Sequence, residues 1–226
     1  RDLRMSRGLG DVYKRQTKGD FKIMDKENII AEIKKEALEN KVPILQDISL
    51  DFIKLVLRLI KPKKILEIGT AVGYSAINFA NELDGDVYIK TIEKSSKMYN
   101  IAKKNIASLE YDKCIDVVLA DATEYLPNLK EDNTYDLIFI DAAKGQYLKF
   151  LENGIRLAKN GAVIIADNVL FKGRVLSDYN EHKHRTAVNR LRDYLSIINS
   201  DKRLKSTVLN IGDGVAVSVI KNTKKS

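Results

Sequence analysis

Five apolar runs of strand length end on an acidic residue: ILE at Glu67, YIKTI at Glu93, VVLA at Asp121, LIFI at Asp141 and VIIA at Asp167. Parallel strands of one open sheet finish at the same edge, and ligands of such sheets bind in the crevice outside it. Carboxylates gathered there can hold hydroxyls, a cation or a moving proton. Asn168 follows Asp167 directly. If their strands are neighbours, Asp141, Asp167 and Asn168 bring together three oxygen ligands, the donor set that a hard cation such as Mg²⁺ takes. Asp and Asn after a strand also close Asx turns, and spacing alone does not separate the two roles for Asp167 and Asn168. Lys144 stands three residues past Asp141 at the same edge. It is either a solvated surface charge or, with a lowered pKa, an assistant that takes a proton from a bound hydroxyl.

The segment LEIGTAVGYSA, residues 66–76, leaves a strand and opens a helix. Gly69 and Gly73 let the backbone turn tightly and bring a ligand to the helix N-terminus. Their spacing is GxxxG, with Ala71 where a dinucleotide-binding fingerprint has its second glycine. A pyrophosphate needs close backbone approach at that position, so a ligand without phosphates fits better. Glu93 ends the next strand, where a carboxylate can accept both hydroxyls of a ribose. It could otherwise serve only to cap the helix that begins near Ser95 and Ser96.

These residues need a frame, and the apolar periodicity supplies one. Ile29, Ile30, Ile33 and Ala37 recur at helical spacing, as do Leu50, Ile53, Leu57 and Ile60 behind Ser49 as the expected cap. From ILEIG onward, apolar runs alternate with helical patterns, as stacked βαβ units require. Ser95 caps a helix reaching Leu109, and GQYLKFLENGIRLAKNG forms one that stops at Asn160 and Gly161. The last helix runs from about Thr186 to Asn199 with Val188, Leu191, Leu195 and Ile198 on one face. Two closing strands, STVLNI and VAVSVI, flank Gly212, Asp213 and Gly214, a connection that favours an antiparallel hairpin. The expected class is α/β: a Rossmann-like, doubly wound, seven-stranded, mostly parallel sheet with an antiparallel C-terminal hairpin strand and N-terminal helices. A single domain is expected over residues 25–226, with the N-terminal helices over 25–60 and the core over 61–226.

The chain has 226 residues, 44% hydrophobic and 31% charged, with a formal net charge of +8. That is ordinary globular composition, neither disordered nor fibrous. No run reaches the roughly 18 apolar residues of a membrane-spanning helix, and no secretory pattern opens the chain, so a cytoplasmic protein without membrane partners is expected. Cys114 is the single cysteine and reads as a small packed hydrophobe; His182 and His184, the only histidines, do not assemble a triad or zinc site. Residues 1–24 show little apolar periodicity and read as a disordered or non-native tail, with a native start near Met24. The first twenty contribute +3 of the net charge. The remaining excess favours a polyanionic partner or simply a lysine-rich solvated surface.

Taken in order, LEIGTAVGYSA, TIE, LADA, FIDAAKGQY and ADNVLFKG resemble the class I S-adenosylmethionine-dependent methyltransferases of the catechol O-methyltransferase-like, metal-dependent group. The likeness covers roughly Val42 to Ile220. It implies that Glu67, Gly69, Thr70, Gly73, Tyr74 and Ser75 surround the methionine part of S-adenosylmethionine. Glu93 would hold its ribose, Asp121 and Ala122 its adenine, and Asp141 would also border the cofactor. Asp141, Asp167 and Asn168 would bind Mg²⁺, or Mn²⁺, which accepts similar ligands. Lys144 and Asp141 would be the catalytic pair, Lys144 beside the reacting hydroxyl. Dimers are common in this group, so a homodimer is implied.

The blocks DAAKGQY, DNVLFKG and GDGVAVS look closest to the bacterial tRNA 5-hydroxyuridine methyltransferases, whose target lies in the anticodon loop. A surface for RNA would be KGRVLSDYNEHKHR. There Lys172, Arg174, Lys183, His184 and Arg185 could meet phosphates and Tyr179 could stack on a base. Asp178 and Glu181 interrupt the positive run, and a solvated loop is the plain alternative. Methylation of catechol-like or phenolic acyl-CoA small molecules is the second reading. A NAD-dependent oxidoreductase and a noncatalytic RNA-binding module are the remote ones.

Overall fold

The computed structural model describes residues 18–221, with side chains from Lys26 onward. Of the tail expected over 1–24, residues 1–17 lie outside the described residues, and 18–24 belong to a helix that continues to Glu39. Helices α1 (Lys18–Glu39) and α2 (Asp47–Ile60) precede strand β1 (Lys64–Ile68). There follow α3 (Tyr74–Glu82), β2 (Tyr88–Glu93), α4 (Ser96–Ser108), β3 (Ile115–Leu119), α5 (Ala122–Asn128) and β4 (Tyr135–Ile140). A short 3₁₀ turn (Lys144–Gln146) leads into α6 (Tyr147–Leu157), β5 (Ala158–Ala166), α7 (Arg185–Ser200), β6 (Leu204–Leu209) and β7 (Val215–Ile220).

The seven strands lie in the order β3-β2-β1-β4-β5-β7-β6. The first five are parallel, and β7 runs antiparallel to both β5 and β6. The winding direction reverses between β1 and β4, which opens a crevice beyond their carboxyl ends. Both faces of the sheet are covered, so the central strands are apolar on both sides. Ile65, Leu137, Phe139 and Ile165 pack with Ile53, Leu57 and Phe79 on one face. Leu66, Ile138, Ile140 and Ile164 pack with Leu126, Leu151 and Leu191 on the other. This is the period-two alternation of a strand expressed in two separate cores.

Three local expectations change. Ser49 is no cap: α2 begins at Asp47 behind Gln46, and Ser49 lies fully buried inside its first turn. Helix α6 ends at Leu157, and Asn160 and Gly161 fall within β5, whose pairing with β4 shifts register between Tyr135 and Leu137. Ala158 already pairs with Tyr135, and Asn160 and Gly161, the latter at φ +79°, fall in the irregularity before Val163 pairs with Leu137. On α7 the buried face is Val188, Leu191, Tyr194 and Ile198, with Leu195 only partly covered. Cys114 is half-buried against the core, and burial pushes its thiol pKa up, away from reactivity. Among the described residues no helix is long and apolar enough to cross a membrane.

Candidate active site

The turn after β1 is built on a close approach that only glycine permits. Gly69 sits at φ +106°, donates to the Ile92 carbonyl at 3.1 Å, and a Cβ there would lie 2.1 Å from the Asp141 carbonyl oxygen. The β1 turn is thereby pressed against the end of β4. Gly73, at φ +83°, caps α3. Ala71 takes a left-handed φ of +47° without being glycine, and its N–H donates to Glu93 Oε2 at 2.9 Å. The other oxygen of Glu93 accepts from Ser95 N–H at 2.7 Å. Glu93 therefore ties the β1 turn to the start of the next helix, and it stands at the cavity wall.

Glu67 is fully buried and accepts hydrogen bonds from the Ser75 and Thr91 hydroxyls. Burial pushes its pKa up to about 7, against the pull of the two hydroxyls. A raised acid pKa means the native state holds the proton more tightly than the unfolded chain, so this group's stability contribution is present below pH 4.5 and lost as pH rises to about 7. Glu67→Gln should therefore flatten the pH dependence of the ligand-free protein. Its stability should gain on wild type by up to about 3 kcal/mol between pH 4.5 and 7, read as a rise in relative melting temperature. A pH series of thermal melts checks this, and parallel curves for the two proteins would contradict it.

Asp121 ends the third strand unit and caps α5, accepting from Thr123 N–H at 2.9 Å and Thr123 Oγ1 at 2.7 Å. Those bonds, with Lys94 at 3.6 Å, lower its pKa. Its carboxylate is thus fixed and charged at the cavity wall beside Ala122.

Strands β4 and β5 pair in register up to Ile140 and Ala166, so Asp141 and Asp167 leave the sheet side by side. The Asn168 amide donates to Asp167 Oδ2 at 2.7 Å and to Asp141 Oδ1 at 3.4 Å, bridging the two carboxylates. Asp167 is buried, its Oδ1 has no partner, and burial together with Asp141 raises its pKa to about 7. Burial raises that of Asp141 as well. Two neighbouring carboxylates, one buried and one half-buried at the cavity wall, repel each other unless a cation joins them. An orphaned buried oxygen beside an amide that can turn its oxygen inward fits an oxygen-seeking divalent ion. The fully buried Tyr147 donates to the Asp167 carbonyl at 2.9 Å, bracing the same loop.

A cavity of about 600 Å³ joins these groups. Glu93, Asp121 and Ala122 line it beyond β2 and β3, and Gly69, Thr70, Tyr74 and Ser75 line it at the β1 turn in the middle. Asp141, Lys144, Asn168 and Lys172 line the other end. Glu67 and Asp167 lie buried behind that lining, and Gly73 stands outside it. Lys144 Nζ lies 5.7 Å from the Phe171 ring centroid, against which Arg174 also packs at 5.3 Å.

Arg174, Tyr179, Lys183 and Arg185 do not line the cavity. Lys172, Lys183 and Arg185 are exposed, and Arg174 covers Tyr179 at 5.0 Å from the ring centroid. A base stacking on that face of Tyr179 would have to displace the guanidinium. Sequence reasoning missed three contributors: Gln46 at the start of α2, Ser49 behind Asp167, and Asp213 in the hairpin turn. Gln46 and Asp213 line the cavity, and Ser49 is near enough to hold the Asp167 pKa down. No local motif announces them, because each reaches the site from a distant part of the chain.

Comparison with known proteins gives a consistent picture. A family model described as O-methyltransferase matches residues 22–221. A catechol O-methyltransferase of Niastella koreensis is 32% identical over 177 residues, 75% of this chain and 79% of that protein. A Dictyostelium discoideum protein named as caffeoyl-CoA O-methyltransferase 1 is 30% identical over 199 residues, 86% of this chain and 85% of its own. Among solved structures, a Staphylococcus aureus protein described as a caffeoyl-CoA O-methyltransferase superposes with a TM-score of 0.79 at 34% identity, covering 94% of this chain and 97% of its own. An O-methyltransferase of Bacillus cereus in complex with SAH gives 0.75 at 28% identity, covering 86% and 91%.

Proposed function

Because the chain belongs to the O-methyltransferase family, we propose that it moves the methyl group of S-adenosylmethionine onto a hydroxyl of an acceptor with two vicinal oxygens. The observation that carries this is the shared cavity, with Glu93 and Asp121 at one end and Asp141, Asn168 and Lys144 at the other. A new C–O bond forms as the C–S bond breaks with its electron pair on sulfur, and the hydroxyl proton leaves through Lys144 to solvent. Glu93, held by two backbone N–H groups, is pre-oriented to accept from the ribose hydroxyls. Asp121 and Ala122 flank the adenine. Glu67 sits behind the methionine portion, where a cationic ligand favours its ionised form. Asp141, Asp167 and Asn168 are suited to hold Mg²⁺ or Mn²⁺, which when bound would orient both acceptor oxygens and lower the pKa of the hydroxyl. Most of the acceleration comes from aligning two bound reactants, worth up to about 7–11 kcal/mol in well-oriented systems. A NAD-dependent oxidoreductase is overturned by the family match.

For the acceptor we propose 5-hydroxyuridine at the tRNA wobble position, whose 5-hydroxyl adjoins the C4 carbonyl. Support comes from the net charge of +8 and from the exposed Lys172, Lys183 and Arg185 on the segment that follows the cavity, since RNA affinity rests largely on phosphate neutralisation. A catechol or phenolic acyl-CoA acceptor is the second reading, favoured by the names of the relatives. The test gives the protein S-adenosylmethionine and Mg²⁺ with either hydroxyuridine-containing tRNA or a free catechol, followed by mass spectrometry. Methoxyuridine supports the first acceptor and a methoxyphenol the second. No methylation of either would refute the vicinal-oxygen reading.

We also propose a two-fold dimer through α2. Ile48, Leu55 and Leu59 are 59%, 58% and 74% exposed. With Phe52 they recur at four-three-four spacing, a second apolar stripe beside the one buried in the core. Asp47 and Arg58 are already paired with Lys34 and Glu82, which leaves Asp51 and Lys54 as the charges of the helix itself beside the stripe. Antiparallel packing on the same helix of a second copy buries the stripe and can set each Asp51 toward a Lys54 of the other copy. Sedimentation should show a dimer for wild type and a monomer for Leu55→Asp; a monomeric wild type would refute the interface.

A further inference from the structure

The loop after β5 contains three non-glycine residues in the left-handed region: Asn168 at φ 60°, Phe171 at 45° and Lys172 at 56°. Such residues keep that conformation only when their surroundings impose it. The imposing element is the turn between β6 and β7. Val169 N–H donates to the Gly214 carbonyl at 3.0 Å and Leu170 N–H to the Asp213 carbonyl at 2.9 Å. Lys172 N–H donates to the Asp213 carboxylate. The fit leaves no room for a side chain at Gly214, where a Cβ would lie 2.3 Å from Leu170 Cγ. Asp213 thus supplies the side-chain acceptor in a clamp otherwise made of backbone.

The clamped loop carries Asn168 and Lys172 into the cavity lining and sets Phe171 beside Lys144. Asn168 bridges the two carboxylates, Phe171 faces Lys144, and Lys172 forms part of the wall. We infer that Asp213 is a positioning residue, holding the loop in the conformation that delivers these three groups together. A carboxylate at this position reaches one backbone N–H; alanine leaves that donor to water and frees the strained residues to relax toward ordinary φ values. The link to cation binding through Asn168 rests on the proposed function, whereas the clamp itself does not.

The experiment uses the full chain without acceptor: wild type, Asp213→Ala and Asp213→Asn, which keeps an acceptor oxygen. Residue-resolved amide hydrogen exchange reads the clamp, and Mn²⁺ binding followed by electron paramagnetic resonance reads Asn168. In the alanine variant the Lys172 amide should exchange at least about tenfold faster while β1 and β4 stay protected. Mn²⁺ affinity should fall about tenfold, the scale of lost outer-shell support. Asparagine should restore both to within about threefold of wild type. Unchanged Lys172 exchange in the alanine variant overturns the inference, as does a uniform rise across all strands, which marks general destabilisation. A wild type that binds no Mn²⁺ sinks the cation reading alone, and the exchange data still decide the clamp. Should the alanine variant not fold, Asp213→Ser, too short to reach the loop, carries the same comparison.

Discussion

Replacing Asp141 by alanine should reduce methyl transfer by at least about 10³-fold, because it removes one of the two carboxylates of the proposed cation site. The fold should survive. Asp141 contributes a desolvated carboxylate whose charge raises the pKa of Asp167, so its removal relieves repulsion and the melting temperature should hold or rise. Cofactor affinity, measured by calorimetry, should change little, because Glu67, Glu93, Asp121 and the glycine turn are untouched. In the same variant the pKa of Asp167 should move back toward the ordinary carboxylate range, and Mn²⁺ binding should be lost. Full activity in Asp141→Ala would remove the cation from the mechanism. Loss of cofactor binding alongside activity would instead place Asp141 chiefly at the S-adenosylmethionine end.

The second large effect is expected at Gly69. Its φ of +106° is costly for any L side chain, and an added Cβ would lie 2.1 Å from the backbone oxygen of Asp141. The obstacle is backbone at the end of a central strand, so nothing flexible can move aside. Gly69→Ala should destabilise the protein by about 3–5 kcal/mol, a fall of about 10 °C in melting temperature. It should also abolish cofactor binding, since relief of the clash requires the β1 turn to withdraw from β4. Gly145 makes the control: its φ lies outside the left-handed region, and a Cβ there meets nothing within 4 Å. Gly145→Ala should be nearly silent in thermal melts, and equal losses for the two variants would refute the steric account.

Much of the fold was legible because its signals are local. Strand-length apolar runs with helices between them predict a parallel sheet, and an apolar-only strand implies cover on both faces. The antiparallel end followed from Gly212, Asp213 and Gly214. The failures came where tertiary packing overrode a local rule. Ser49 has the residue type of a cap yet lies buried behind Asp167, and Asn160 and Gly161 have the types of a helix stop yet belong to a strand.

The sequence by itself determined which residues could do chemistry: five strand-end acids, one of them followed by Asn168, and a GxxxG turn, all at positions dictated by strand endings. The tertiary structure decided how they divide. Register between β4 and β5 sets Asp141 beside Asp167, and burial raises both of their pKa values. Glu67 lies behind the cavity wall and Glu93 within it. It also recruited Gln46, Ser49 and Asp213 from chain segments far from the strand ends. Their contribution depends on distances through space, which side-chain type and spacing along a chain do not encode.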